Sequence, residues 1–203
     1  MKPFSIIIAL MLASMTSHAQ SCPDNRHPHA IDLGLPSGTI WACCNVGASS
    51  PEDSGKYYAW SETEEKEVYS EKNRLTYKTI FRHLNAYGMK NNVAHIQWGG
   101  KWKMPTVNQA NELFEHCTSQ QATIKGVKGM IFKGKNGASI FMPAAGQRII
   151  FSLNSKGNFG YYWTEEQGED EDKSFYFYFH DGKATVSESN VHFGRTVRPI
   201  ITR

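Results

Sequence analysis

The sequence predicts an α+β domain built mainly from short antiparallel strands, with one or two helices and long loops. Three observations carry that expectation. First, "TVNQANELFEHCTS" starts at Thr106, a side-chain acceptor directly after Pro105, and sets Val107, Ala110, Leu113, Phe114 and Cys117 at the spacing of one helical face. Second, "GMIFKG", "ASIFMPAAG", "GYYWT", "SFYFYFH", "KATVSES" and "RTVRPI" are short, rich in aromatic and β-branched residues, and separated by Gly-rich, Asn-rich or acidic turns. Third, 17 glycines and 12% aromatic residues in 203 suit many tight turns between such strands.

Taken in order, residues 1–19 read as a secretory signal: Lys2 precedes an apolar run from Phe4 to Ala13, and Ser17-His18-Ala19 places small residues where signal peptidase reads. The run is too short to span a bilayer, and no later stretch approaches the roughly 20 apolar residues that a transmembrane helix needs. Cleavage after Ala19 is one reading. Lipid attachment at Cys22 is the other, since a lipoprotein signal also ends just before a cysteine, although Ala19 stands where Leu, Val or Ile is usual. Residues 20–28 form a polar lead, and residues 29–203 are long enough for one domain with its own core. Within it, apolar runs flank the turn signal Pro36-Ser37-Gly38 and predict two short strands. The polar stretch that follows reads as a surface excursion containing a short aromatic strand from Tyr57 to Trp60. Residues 75–94 are ambiguous between a short helix and irregular chain. No period of 20 to 50 residues recurs, so a repeat array is excluded.

A net charge of +3 gives no support to a nucleic-acid partner. Cys22, Cys43, Cys44 and Cys117 all lie in the exported part, where disulfides persist. Four cysteines allow three connectivities. Cys43 and Cys44 face opposite ways if they lie on a strand, so one of them could pair with Cys117 and the other with Cys22 or with nothing. A Cys44 to Cys117 bridge would close a long loop, worth about 4 kcal/mol in the chain-entropy picture.

The stretch "HIQWGGKWKMPT" looks at first like a ligand platform. It is not a phosphate loop, because Gly100-Lys101 is followed by Trp102 and the residue five before Gly100 is His95. Trp98 and Trp102 could stack on a sugar or a cation, but their place just before a helix cap favours an internal brace. Histidines show no metalloprotease spacing, and neither a Gly-x-Ser-x-Gly elbow nor a carboxylate pair stands out. The expectation is a protein without catalytic machinery or cofactor. Lys125, Lys128, Lys133 and Lys135 read as the solvated edge of a hairpin.

Together, "AIDLGLPSGTIWACCNVGASSPEDSGKYYAWSE", "WGGKWKMPT", "ASIFMPAAG", "GYYWT" and "FGRTVRPI" resemble the Fibrobacter succinogenes major paralogous domain, a family of exported proteins abundant in Bacteroidetes. They occur in the same order and cover nearly all of residues 29 to 201. The resemblance implies a C-type-lectin-like fold, related to formylglycine-generating-enzyme-like domains and to diversity-generating-retroelement targets, with a variable ligand-facing surface near the C-terminal strands. It also assigns "WGGKWKMPT" to the shared framework. Formylglycine-generating enzymes use cysteines late in the chain, whereas the last cysteine here is Cys117.

Two features then compete as sites. The acidic run "TEEQGEDEDK" resembles a loop that holds calcium in some lectin-like folds, with Asp170 and Asp172 as the first ligands to test, yet the Glu-Pro-Asn, Gln-Pro-Asp and Trp-Asn-Asp motifs of calcium-dependent lectins are missing. A solvated turn is the reading adopted, with no metal. "SFYFYFH" places Phe175, Phe177 and Phe179 on one face, naturally core, and Tyr176, Tyr178 and His180 on the other. Tyrosines with polar tips suit recognition of a protein or glycan; the alternative is a half-exposed face covered by a loop. The expected contact residues are Glu165, Tyr176, Tyr178, His180, Ser187 and Asn190. The sequence thus points to an exported, non-enzymatic binding module at the cell surface, secreted or periplasmic, or alternatively to a component of a fimbria-like surface assembly.

Overall fold

The structure, a computed structural model, describes residues 29–74 and 91–203. The signal sequence, the polar lead and Cys22 lie outside the described residues, as does most of the ambiguous stretch 75–94. What is described is a sheet-rich α+β fold with small antiparallel sheets and two α-helices. Among the described residues no helix is long and apolar enough to cross a membrane.

The two strands expected around Pro36-Ser37-Gly38 form as β1 (Ala30–Asp32) and β2 (Ile40–Ala42), and β11 (Ile200–Ile201) pairs with the other edge of β2. The turn between β1 and β2 is anchored at a distance: the Ser37 backbone N–H donates to Glu112 at 2.7 Å and its hydroxyl to the same carboxylate at 2.5 Å. Residues 57–60 do not make a strand. Their rings and Ala59 are buried, and Tyr58 forms an isolated bridge with Arg195. Tyr57 Oη donates to the Ala145 carbonyl at 2.6 Å and Tyr69 Oη to the Tyr57 carbonyl at 2.6 Å, so the polar stretch folds inward on its aromatic residues. The hydrophobic area of four large rings outweighs the polarity around them.

Helix α1 (Val93–Trp98) is capped by Asn92, whose Oδ1 accepts from His95 N at 3.3 Å and also from Met104 N at 2.9 Å. It ends at Gly99 and Gly100, both at positive φ (69° and 58°), a conformation that glycine adopts without a Cβ clash. The chain then turns back so that Trp98 and Trp102 meet edge to face at 5.2 Å, with Trp98 and Met104 buried in one core cluster. Lys103 exchanges backbone hydrogen bonds with Ile200. The double-tryptophan stretch is therefore an internal brace between α1, β11 and the next helix.

That helix, α2 (Val107–His116), has the expected cap: Thr106 Oγ1 accepts from Gln109 N at 3.1 Å while Gln109 Oε1 accepts from Thr106 N at 2.8 Å. Its stripe of Ala110 and Leu113, with Phe114 half-buried, lies on the sheet formed by β8 (Gly160–Gln167), β9 (Lys173–His180) and β10 (Lys183–Asn190). The chain after the helix enters a second sheet, β3 (Thr118–Ile124), β4 (Val127–Lys133) and β5 (Ser139–Pro143). Polar β3 shows no apolar alternation and is held by its hairpin partner. Phe114 joins the layers, 5.9 Å from Phe132 of β4 and 5.8 Å from Phe177 of β9. Phe177 and Phe179 are core as expected, whereas Phe175 is half-buried near the end of the strand. A two-stranded hairpin, β6 (Gln147–Ile149) with β7 (Ser152–Asn154), stands beside them.

The expected Cys44 to Cys117 disulfide does not form. Cys117 carries a free thiol at the end of α2 in the second core cluster, while Cys44 is buried in the first. Arg198 links the parts. It is fully buried, and its guanidinium donates to Asn45 Oδ1 at 2.8 Å, to the Ala42 carbonyl at 3.0 Å and to the Phe141 carbonyl at 3.0 Å, thereby tying the end of β2, the following loop and β5.

Arg198→Ala leaves three buried acceptors unpaired and should cost about 3–5 kcal/mol in urea unfolding, with Arg198→Lys recovering less than half because an ammonium cannot reach three divergent acceptors. Burial pushes the Cys117 thiol up from 9.0 to about 11, with Glu112 adding to the shift, and burial pushes the Tyr162 phenol up from 10.0 to about 12. Both groups are favoured in their neutral forms by folding, so their contribution is complete below the ordinary values and is lost as pH rises toward the folded ones. The melting temperature of the wild type relative to that of Cys117→Ala should fall as pH rises from 9 to about 11; a difference between the two proteins that stays constant over that range would refute the assignment to Cys117.

Candidate functional site

The outer face of the β8–β9–β10 sheet collects the rings that the sequence placed opposite the phenylalanines. In register, Tyr161 faces Tyr178, Trp163 faces Tyr176, and Tyr176 in turn faces Ser187 of β10. Tyr176 and Tyr178 are 5.7 Å apart, and Tyr161 sits 6.0 Å from each. Phe159, just before β8, stacks on Tyr161 at 5.4 Å and on His180 at 3.9 Å, within 11° of parallel. Five rings therefore form a ladder, each half-buried and half-open to solvent.

One end of this face is covered from above. Arg195, 1% exposed, lies over Tyr176 at 3.5 Å and over Trp163 at 4.3 Å. Its Nη2 donates to Ser189 Oγ at 2.7 Å and to Gln147 Oε1 at 2.8 Å, and its Nε donates to the same oxygen at 2.9 Å. Among the described residues it has no carboxylate partner, and Nη1 has no hydrogen-bond acceptor. Burial pulls its pKa down to about 9, partly opposed by Tyr176 and Tyr161, so the guanidinium is still charged at neutral pH. The rings supply what a counter-ion would otherwise supply, through cation–π attraction. The face is thus closed at one end, where Trp163 and Tyr176 lie under the segment carrying Arg195, and half-open at the other, where Tyr161, Tyr178, Phe159 and His180 remain.

Glu165 does not join this group. Between Trp163 and Gln167 the β8–β9 register shifts, with four steps along β8 against two along β9. Such a bulge re-aims the residues inside it. Its backbone is satisfied elsewhere: the Thr164 carbonyl accepts from Trp60 Nε1 at 2.9 Å and Glu165 N donates to the Pro105 carbonyl at 2.9 Å. Glu166 accepts from Val107 N at 2.9 Å and so caps α2. Burial raises the pKa of both carboxyls; Lys103 opposes this at each. Asn190 also lies away from the open rings, opposite Lys173, whose Nζ donates to its Oδ1 at 2.6 Å. Glu169, Asp170, Glu171 and Asp172 are exposed in the turn, and among the described residues no three His, Cys, Asp or Glu side chains gather as metal ligands.

Of the six expected contacts, Tyr176, Tyr178, His180 and Ser187 share one face, while Glu165 and Asn190 serve the opposite end of the sheet. Phe159, Tyr161 and Arg195 were not singled out from the sequence. A period-two reading of "FGYYW" places Phe159, Tyr161 and Trp163 on one face, but only the strand register puts that face beside Tyr178. Arg195 carries no sequence signal for a site, since it lies in irregular chain. Set against known proteins, the chain matches no family model, no curated protein and no solved structure.

The two ends of the face should respond differently to truncation. Tyr176→Ala uncovers a buried cation and is expected to cost about 2–3 kcal/mol, whereas Tyr178→Ala removes a half-open ring and should cost about 1 kcal/mol or less. Equal losses in chemical denaturation would refute the division into a covered and an open end.

Proposed function

We propose that this chain is an exported, non-enzymatic binding module of C-type-lectin-like fold, a member of the Fibrobacter succinogenes major paralogous domain family, that recognises a protein or glycan outside the cell. The observation that supports this reading is the ladder of Phe159, Tyr161, Tyr178 and His180, with Tyr176 at its covered end. Half-open rings, those of Tyr161, Tyr178 and His180 with polar tips, held by stacking on Phe159 and on one another, offer a large contact area at little cost in side-chain freedom. In this reading Ser187 extends the contact surface beside Tyr176. Glu165 and Asn190 are supports and drop out of it.

A second reading, a component of a surface assembly, is favoured by a different feature. The tip of the β6–β7 hairpin exposes Ile150, Phe151 and Leu153, with Phe151 72% accessible. Ile150 has φ of 55°, a conformation that β-branched residues rarely adopt, and is held there by paired backbone hydrogen bonds with Tyr69, both at 2.9 Å. A rigid apolar tip of this kind suits burial against a sister protein.

The two readings separate in one set of experiments. Purified protein is tested for retention on immobilised mucin, glycans and bacterial-surface extract, alongside Tyr178→Ala and Phe151→Ser. The binding-module reading expects about tenfold or greater loss with Tyr178→Ala and none with Phe151→Ser. Loss of stoichiometric co-purifying partners from native membranes with Phe151→Ser alone would favour the assembly reading. No retention of the wild type on any surface would remove the first.

A further inference from the structure

The ladder lies in the middle of its sheet. Strand β9 pairs β8 on one side and β10 on the other, and on the far side of β8 Tyr162 bridges Thr196 while Gly160 bridges Gly146. The backbone beneath the rings of Tyr161 and Tyr178 is therefore already hydrogen-bonded. A guest on this face meets ring faces and side-chain tips only, and an extended peptide that needs a strand edge for its own N–H groups leaves them unpaired here.

The face is also neutral where it is open. Thr185 stands across from Tyr178, and Ser187 across from Tyr176. Charged groups flank the rings at the two ends. At one end Arg195 lies buried over Tyr176; at the other His180 meets Asp181, with Lys183 opposite it in register. Tyr161 and Tyr178 each carry a phenolic O–H, a donor that a peptide carbonyl can accept. Ring centroids follow one another along the face at 5.4 Å from Phe159 to Tyr161, 6.0 Å from Tyr161 to Tyr178 and 5.7 Å from Tyr178 to Tyr176.

We infer that the open end of the ladder binds a proline-rich segment of a partner protein in the polyproline II conformation. The chemistry of such a segment matches the face in three ways. Proline has no N–H, so the segment brings no backbone donors that the face would leave unpaired, and its free carbonyls accept from the phenols. Polyproline II has no internal hydrogen bonds and rises about 3.1 Å per residue, so two residues span roughly 6 Å, close to the spacing of the rings. Its pyrrolidine rings are apolar, uncharged and already rigid, which suits half-open aromatic faces without a counter-ion and loses little freedom on docking. This assignment rests on the reading of the chain as a binding module and chooses, for the same rings, polypeptide over glycan.

The test uses the full chain labelled with 15N, titrated with an end-blocked peptide of about ten prolines and with a flexible Gly-Ser peptide of equal length. The proline peptide should shift the amide signals of Tyr161, Tyr178 and Thr185 with a dissociation constant on the order of 0.1–1 mM, and the Gly-Ser peptide should bind at least about tenfold more weakly. Tyr178→Ala should weaken the proline peptide at least about tenfold; Tyr178→Phe, which keeps the ring and drops the donor, should weaken it about threefold, and Phe151→Ser should leave it unchanged. Mucin, a Ser/Thr-rich chain with prolines and attached sugars, should still retain the protein after its glycans are stripped. No shift at the ladder with the proline peptide, equal affinity for the two peptides, or loss of mucin retention on stripping overturns the inference. Where retention before stripping depends on Tyr178, the ligand is then the glycan and the binding-module reading stands. If neither peptides nor surfaces bind, both fail.

Discussion

The fold depends on one buried guanidinium. Arg198 replaces continuous sheet hydrogen bonding at the point where the end of β2, the loop carrying Asn45 and the middle of β5 converge, and it does so with neutral acceptors only. Small sheets of two or three strands leave many backbone carbonyls without ladder partners, and a buried unpaired carbonyl is costly. A planar donor with several N–H groups in fixed directions can satisfy carbonyls from different sheets at once. The sheet of β1, β2 and β11 can therefore stay short.

Arg195, three residues earlier, solves a different problem. It covers Trp163 and Tyr176 and is itself balanced by rings, with Gln147 and Ser189 taking its forks. The same segment thus seals one end of the aromatic face and leaves the other uncovered. The bulge in β8 completes the separation, because it turns Glu165 and Glu166 away from the rings and toward Pro105 and the start of α2.

Legibility in the sequence followed the range of the interactions. The capped helix at Thr106, the strands around Pro36 to Gly38 and the alternation in "SFYFYFH" were readable because caps, turns and strand periodicity are local. Strand β3 was missed because "TSQQATI" is polar and owes its form to its hairpin partner. The burial of Tyr57 to Trp60 was missed because acidic and turn-forming neighbours masked it. The candidate face was half legible: that Tyr176, Tyr178, His180 and Ser187 share it follows from period two, whereas a bulge sets Glu165 apart from it and Tyr161, Phe159 and Arg195 join it only through register and long-range packing. The Cys44 to Cys117 pairing failed for the same reason, since the spacing of cysteines says nothing about which core each one enters.

The bulge between Trp163 and Gln167 divides β8 between two duties. Upstream of it, Tyr161 belongs to the open rings while Tyr162 and Trp163 are buried; within it, Glu166 belongs to the cap of α2. A change at Tyr161 therefore meets Phe159 and Tyr178, whereas a change at Glu166 meets the first turn of the helix. One strand thereby serves a ring face at one end and a helix terminus at the other.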